Sequence, residues 1–245
     1  MRAFAFARRN AKELLRDPLT VSFGLGFPLV LLYLLSLLQR NIPVPMFEIH
    51  TLAPGVAAFG LTFIALFSAL LLSKDRTHSL MMRLRASPMR PVDFIVGYIL
   101  PLVPIAAAQT AVCLIAAIPL GLTLSVNALL CLLTLLPTAL LYIAIGLICG
   151  ALLNDKQVGG ICGALLTNVC AWLSGIWFDT ALLGSGFQRI ARLLPFSNAV
   201  DAARAALSGN FSEILPSMLN VSAYAALLLI LAVLLFTRKQ RRGNL

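Results

Sequence analysis

Residues that could do chemistry are few in this chain, and their spacing forms no catalytic pattern. The two histidines, His50 and His78, are isolated in the sequence. No Gly-Lys dipeptide occurs, so the chain lacks the loop that holds a nucleotide phosphate. We therefore expect no catalytic residue, no metal ligand and no cofactor bound by this chain.

The five cysteines all lie in strongly apolar stretches, and none belongs to a C-x-x-C pair. They are Cys113, Cys131, Cys149, Cys162 and Cys170. Cysteine in such surroundings usually serves as a small apolar packing residue. The spacing favours that role over disulfide formation or metal binding.

Long segments without charge are the main feature of the chain. Of its 245 residues, 60% are hydrophobic and 11% are charged, against about 25% charged in ordinary soluble domains. Six charge-free segments are each about as long as the roughly 20 residues that cross a bilayer as a helix. They are residues 19–38, 53–73, 94–120, 128–153, 158–178 and 218–236. The sequence therefore predicts an all-α polytopic membrane protein with six transmembrane helices in one domain, residues 1–245, and it argues against a soluble enzyme.

The distribution of basic residues predicts the orientation. If the N-terminus is cytoplasmic, the inner segments carry 15 of the 19 lysines and arginines and the outer segments carry 4. Such a bias places the basic segments inside, so we expect both termini in the cytoplasm. The formal net charge of +10 then faces anionic lipid head groups, and no nucleic acid partner is needed to explain it.

Two segments on the predicted inner side have helical patterns. Residues 1–18 form an amphipathic elbow helix that rests in the membrane interface and ends at Asp17-Pro18. The alternative is a basic flank that only sets topology. Residues 77–87 form a short helix with an apolar face of leucine and methionine side chains. That face suits either a groove on another protein or the lipid surface, and periodicity alone does not decide between them.

The segment before the last span is unusual, because it is long yet amphipathic. Residues 181–209 predict a re-entrant pair of outer helices that is broken at Pro195. Elsewhere, Gly146 with Gly150 and Gly159 with Gly163 form two G-x-x-x-G motifs, which let helices approach closely. Packing inside the chain is favoured over dimerisation for both motifs.

In chain order, these features resemble the membrane subunit of type 2 ATP-binding-cassette exporters, the permeases of the drug, polysaccharide and natural-product exporter group. The matching stretches are Arg16-Asp17-Pro18, Leu52-Ala53-Pro54-Gly55, Arg83-Leu84-Arg85-Ala86-Ser87-Pro88 leading to Gly97, Ser174-Gly175, Leu194-Pro195-Phe196 and Asp201-Ala202-Ala203-Arg204-Ala205. Together they cover nearly the whole chain. The inner loop departs from the acid-rich entry common in the family, because Lys74-Asp75-Arg76-Thr77-His78 stands there instead.

The resemblance implies that this chain is a permease and not itself an ATPase. A separate ATP-binding-cassette ATPase, which carries ATP and Mg, would bind residues 77–87, called the coupling helix in this family. A second permease, identical or related, would complete a transporter in a bacterial-type inner membrane. The expected ATPase contacts are Thr77, His78, Ser79, Leu80, Met81, Arg83, Leu84, Arg85 and Ser87. The expected outer gate consists of Phe187, Leu194, Pro195 and Phe196.

The apolar interiors of the spans favour a hydrophobic or amphiphilic cargo, such as a drug, a lipid-like compound or a natural product. The polar groups expected along its path are Gln109, Thr110, Thr138, Asn168 and Ser174. Each could equally serve only to hydrogen-bond between helices. Two other functions stay open: a secondary transporter driven by an ion gradient, which would need intramembrane charge or an internal repeat, and a membrane scaffold without transport.

Overall fold

The computed structural model describes residues 2–42, 47–77, 91–123, 125–178 and 180–241, and within these ranges it contains helices and no strand. The α-helices are α1 (Arg2–Arg16), α2 (Pro18–Val21), α3 (Phe27–Gln39), α4 (Ile49–Gly60), α5 (Thr62–Thr77), α6 (Pro91–Ala117), α7 (Val126–Leu152), α8 (Asp155–Val158), α9 (Leu166–Leu173), α10 (Ser185–Leu193), α11 (Pro195–Ser208) and α12 (Phe211–Arg241). The segments Ser22–Gly26 and Gly159–Leu165 form π-helical turns. The predicted all-α fold is confirmed.

Within the described residues, five helical segments are long and apolar enough to cross a membrane, which confirms a polytopic helical membrane protein. They are Ser22–Gln39, Ile49–Arg76, Val92–Leu120, Val126–Leu152 and Phe211–Lys239. The sixth predicted span, residues 158–178, corresponds to the helical run from Asp155 to Leu173. This run starts with three polar residues and contains a π-helical turn, so the count of six stays a prediction.

Local sequence signals account for the helix ends. Pro18 is the first residue of α2, and only Asp17 separates it from the end of α1 at Arg16, because proline suits a first helical position. Ser125 begins α7 by accepting a hydrogen bond from the backbone N–H of Asn127. Asn154 and Gln157 form a reciprocal capping box that begins α8. The helices therefore start where short polar or proline-containing signals interrupt the apolar runs.

Helix α7 lies at the centre of the bundle and packs against α5, α6, α11 and α12. Its core side chains include Leu135, Leu141 and Ile143, and α5 contributes Ile64 and Leu72. Other apolar side chains, chiefly on α3 and α12, remain exposed on the outside of the bundle. These faces are available to the lipid or to a partner.

Glycine allows α5 and α7 to pack backbone against backbone. A Cβ atom added at Gly146 would overlap the carbonyl of Ala65 and the hydroxyl of Ser68, and one at Gly150 would lie 2.5 Å from the carbonyl oxygen of Ala69. The close approach predicted for this motif is therefore confirmed, and it is internal to the chain. Gly159 of the second motif has open space around it.

Candidate functional site

The end of α5 carries a buried carboxylate that is fully engaged by side chains from two other helices. Asp75 is 2% exposed. Arg9 of α1 donates from Nη1 to both carboxylate oxygens at 2.8 Å, and the Tyr98 hydroxyl of α6 donates to Oδ2 at 2.9 Å. A buried carboxylate is tolerated when a cation and hydrogen-bond donors satisfy it in this way. Asp75 therefore ties α1 and α6 to the last turn of α5.

Further contacts hold α1 against the same part of α6. The ring of Phe6 meets the rings of Phe94 and Tyr98 edge-on, with centroid distances of 5.9 and 5.1 Å. Asn10 is buried and donates from Nδ2 to the carbonyl oxygen of Gly97 at 3.1 Å. A Cβ at Gly97 would overlap the Phe6 ring. Helix α1 is thus packed into the bundle and is more than a basic flank.

The neighbouring residue, Arg76, connects α5 to the end of α7. Its Nη1 donates to the carbonyl oxygens of Gly150 and Leu153 at 2.8 and 3.2 Å. The last carbonyl groups of a helix have no partner within the helix, and a cation there is favourable. Lys239 of α12 donates to the carbonyl oxygen of Ala151 in the same turn. Two cations from different helices therefore satisfy the end of α7.

A third bond links α5 to α8, because the hydroxyl of Ser73 donates to the carboxylate of Asp155. We call the group formed by Arg9, Ser73, Asp75, Arg76 and Tyr98 the α5 junction. It joins five helices within one turn of Thr77, where α5 ends. The junction contains an ion pair and several hydrogen bonds between helices. It therefore connects the end of α5 mechanically to the four other helices.

The residues predicted to contact an ATPase follow directly after this junction. Thr77 is the last residue of α5. His78, Ser79, Leu80, Met81, Arg83, Leu84, Arg85 and Ser87 lie outside the described residues, as does the side chain of Thr77. The ATPase contact therefore stays a prediction. The structure describes the helix that precedes these residues, α5.

The residues predicted to line a cargo path lie in different parts of the bundle. Gln109 is buried and donates to the carbonyl oxygen of Ala57 at 3.3 Å. Thr110 and Thr138 are buried in α6 and α7. Asn168 is exposed on α9. The contacts of Gln109 join helices, as the alternative interpretation expected, and the path stays a prediction.

Ser174, the fifth residue predicted for the cargo path, lines a cavity of about 620 Å³ in the segment that is predicted to face outward; we call it the outer cavity. Ser174 is 4% exposed, and its hydroxyl has no hydrogen-bond partner in the described part of the chain. Trp177, Gln188 and Arg192 also line this cavity. Its wall mixes aromatic, polar and cationic groups, so it can accommodate an amphiphilic molecule.

Three of the four residues of the predicted outer gate lie at the break between α10 and α11. Phe187 is half-buried in α10, Leu194 separates the two helices, and Pro195 is the buried first residue of α11. The ring of Phe196 stacks on Tyr142 of α7 with a centroid distance of 6.3 Å. Leu194, Pro195 and Phe196 therefore lie at the break and Phe187 lies near the start of α10, and the gating role stays a prediction.

Arg204 is a connecting residue whose role the sequence did not indicate. It donates from Nε to the carbonyl oxygen of Thr51 and from Nη1 to that of Gly175, both at 3.2 Å. It thereby joins α11 to the start of α4 and to the segment after α9. Its place in the resemblance motif was the only signal for it.

A metal or redox site has no support in the part of the chain that the structure describes. No group of three or more histidine, cysteine or acidic side chains is placed to hold a metal ion there. All five cysteines are free.

The fold and these contacts define a multi-pass helical membrane protein whose polar groups connect helices. A model of the family described as "ABC-2 type transporter" matches residues 2–208, which is most of the chain. The chain therefore belongs to the ABC-2 type transporter family and is a permease subunit of an ABC exporter. Comparison with curated proteins gives no match.

Asp75→Ala is expected to destabilise the protein, because Tyr98 would keep a buried hydroxyl without an acceptor and Arg9 would lose one of its two carboxylate partners, keeping only Glu13. An unsatisfied buried polar group costs about 1–3 kcal/mol. The lost ion pair with Arg9 adds little to this cost, because the Arg9 side chain is partly exposed to solvent. Thermal unfolding in detergent should show a midpoint several degrees lower. The exposed acid Glu213 provides the control, and Glu213→Ala should leave the midpoint unchanged. Equal midpoints for Asp75→Ala and the unmodified chain would contradict a structural role for Asp75.

Proposed function

We propose that this chain forms half of the membrane pathway of an exporter that moves a hydrophobic or amphiphilic cargo out of the cytoplasm. A separate ATP-binding-cassette subunit, with ATP and Mg, hydrolyses the nucleotide. The observation that carries the proposal is the α5 junction, where α5 ends at Thr77 while its last residues bond to four other helices. Membership of the ABC-2 type transporter family supports it.

The junction gives the proposed ATPase a mechanical route into the membrane. A displacement of residues 78–90 acts first on the last turn of α5. From there, Asp75 leads to α1 and α6, Arg76 to α7, and Ser73 to α8. Charge-assisted hydrogen bonds are short and directional. They therefore couple these helices to a movement of the end of α5 more tightly than loosely packed apolar contacts would.

The outer cavity supports an amphiphilic cargo. Trp177 and Phe178 offer apolar surface beside the polar groups of Ser174, Gln188 and Arg192. The residues that we propose for the path, Gln109, Thr110, Thr138, Asn168 and Ser174, are uncharged and widely spaced. A pathway of this composition suits a cargo that is mainly apolar more than a sugar or an ion.

A second permease, identical or related, is proposed as a partner on the face that carries Asn168. This face also exposes Leu165, Val169 and Trp172, and Gly160 has open space beside it. A polar side chain is unfavourable against lipid and is better placed at a contact between subunits or beside a water-filled path.

The proposed orientation has both termini in the cytoplasm of a bacterial-type inner membrane. A reporter enzyme fused after Leu245 is expected to be active only on the inner side, because the basic bias of 15 to 4 favours it and the six predicted spans return the chain to the side where it began. A fusion after Ser185, in the predicted outer segment, serves as the opposite control. Outer activity of the Leu245 fusion would mean that one span is miscounted: either the predicted re-entrant segment, residues 181–209, crosses the membrane, or the run from Asp155 to Leu173 does not.

Co-purification tests the proposed division of labour. A tagged full chain, expressed together with a cassette ATPase from the same cell, should retain the ATPase in detergent and stimulate its ATP hydrolysis after reconstitution. Transport that follows an imposed ion gradient without ATP would favour the secondary-transporter alternative. Absence of both activities with an intact fold would favour the scaffold.

A further inference from the structure

Helix α1 borders an open groove of about 960 Å³, whose lining contains more cations than carboxylates. One face of α1 is buried in the bundle through Phe6, Ala7, Asn10 and Leu14. The opposite face is exposed and forms one wall of the groove. The contacts of α1 with the bundle therefore leave the exposed face without an assigned function.

The exposed face of α1 carries a row of three cations. Arg8, Lys12 and Arg16 are spaced four residues apart, so they lie one above the other on the helix. All three are exposed, and their side chains have no ion-pair or hydrogen-bond partner in the part of the chain that the structure describes. Like charges at this spacing destabilise a helix. The row therefore gains stability from an anion that lies across it.

Two exposed apolar side chains flank the cations on the same helix: Phe4 lies one turn before Arg8, and Leu15 lies three residues after Lys12. Phe4 is 67% exposed and Leu15 is 68% exposed. Large apolar side chains at this level of exposure are unfavourable in water and favourable in acyl chains. A face with three cations between two exposed apolar side chains matches a surface where phosphate and hydrocarbon meet.

The groove lies where α5 leaves its apolar segment, because Lys74 lines it together with the cationic row. Lys74 is the first charged residue after the long apolar run of α5. The first charge after a membrane-spanning run is expected at the depth of the lipid head groups. Basic pockets at that depth bind anionic head groups.

We propose that this groove is a binding site for an anionic phospholipid. Its phosphate lies across Arg8, Lys12 and Arg16, and its acyl chains contact Phe4 of the groove and the exposed Leu15 of the same helix. Because Arg9 of the same helix pairs with Asp75, the bound lipid holds α1 in place against the α5 junction. The site depends on the membrane placement of α1 and not on an ATPase partner.

A lipid titration of the purified full chain in detergent tests this site. Phosphatidylglycerol should raise the midpoint of thermal unfolding by several degrees and remain bound in native mass spectrometry, whereas phosphatidylcholine should do neither. The double variant Arg8→Gln, Lys12→Gln should bind phosphatidylglycerol at least about 10-fold more weakly, since each cation near a membrane surface contributes appreciably.

The matched control is Lys156→Gln, Arg238→Gln, which removes one lysine and one arginine from exposed positions on α8 and α12, outside the lining of the groove. Its phosphatidylglycerol affinity should equal that of the unmodified chain. If the α1 double variant does not fold, Lys12→Gln alone is measured in the same titration.

Three results would overturn the proposal. Equal stabilisation by phosphatidylcholine would show that the charge of the head group is irrelevant. Equal stabilisation by inorganic phosphate would indicate a site for free phosphate instead of lipid. Unchanged lipid binding in the α1 variant, with loss of ATPase co-purification, would assign the face to protein contact. Failure of the lipid titration would leave the proposed export function untouched, because no ATPase takes part in the titration.

Discussion

Leucine in place of Gly146 is expected to prevent folding or to reduce the yield of folded protein severely. Even a Cβ atom at this position would overlap the carbonyl of Ala65 and the hydroxyl of Ser68. A backbone carbonyl cannot move aside without displacing α5 from α7. Overpacking in a core costs about 1–3 kcal/mol and occasionally more, and leucine adds three further carbons to the overlap.

The expected loss exceeds what the motif alone indicates. From the G-x-x-x-G spacing, an effect of roughly 1 kcal/mol or less is expected for a membrane helix contact. The structure implies a larger effect because the glycine faces backbone, which cannot adopt another rotamer. The yield of monodisperse protein and the midpoint of thermal unfolding are the measurements.

Gly26 offers a matched control for this substitution. It lies in a helical segment of the first span, and a Cβ there would meet nothing within 4 Å. Gly26→Leu should therefore fold with nearly the normal yield. Normal yield and stability for Gly146→Leu as well would show that α5 and α7 do not approach as closely as described.

The membrane-spanning character of the chain could be predicted from sequence because it depends on local properties. A charge-free run of about 20 residues is visible without any knowledge of its neighbours. The break at Asp17-Pro18 was predictable for the same reason, since proline acts on its own helix. The π-helical turn at Gly159–Leu165 was not, because packing against the rest of the bundle determines such a local departure from α geometry.

The α5 junction could not be predicted, because it depends on contacts between distant parts of the chain. Asp75 follows an apolar run and looks like any charge at the end of a span. Its burial results from Arg9, which is 66 residues away, and from Tyr98 on the next helix. Nothing in the local sequence of any of the three residues indicates the others.

The predicted cargo path illustrates the same limit. Gln109 and Asn168 are both polar residues in apolar runs, so the sequence treats them alike. In the structure, Gln109 is buried against α4 and Asn168 is exposed on α9. Only the packing of the bundle distinguishes a residue between helices from one on an outer face.

Leu84→Asp is expected to abolish pairing with the ATPase while leaving the membrane fold intact. The sequence places Leu84 on an apolar face with Leu80 and Met81, beyond the end of α5. A few apolar anchors usually carry most of the energy of an interface. A carboxylate in that contact would be buried without a partner, which is strongly unfavourable.

Leu182→Asp provides the matched control, because it introduces the same charge at an exposed leucine in the predicted outer segment. This variant should pair with the ATPase normally. Both variants should insert with the topology of the unmodified chain, as judged by the reporter fused after Leu245. Loss of insertion in Leu84→Asp would make its pairing result uninformative, and Leu84→Ser then takes its place.

The most direct test of the account is ATP hydrolysis by the cassette ATPase reconstituted with each permease variant in the same membranes. We predict that cargo stimulates hydrolysis with the unmodified chain and with Leu182→Asp, and that stimulation and ATPase pairing are both lost with Leu84→Asp. Retained pairing together with retained stimulation in Leu84→Asp would contradict the claim that an ATPase acts on this chain through the segment that follows the α5 junction.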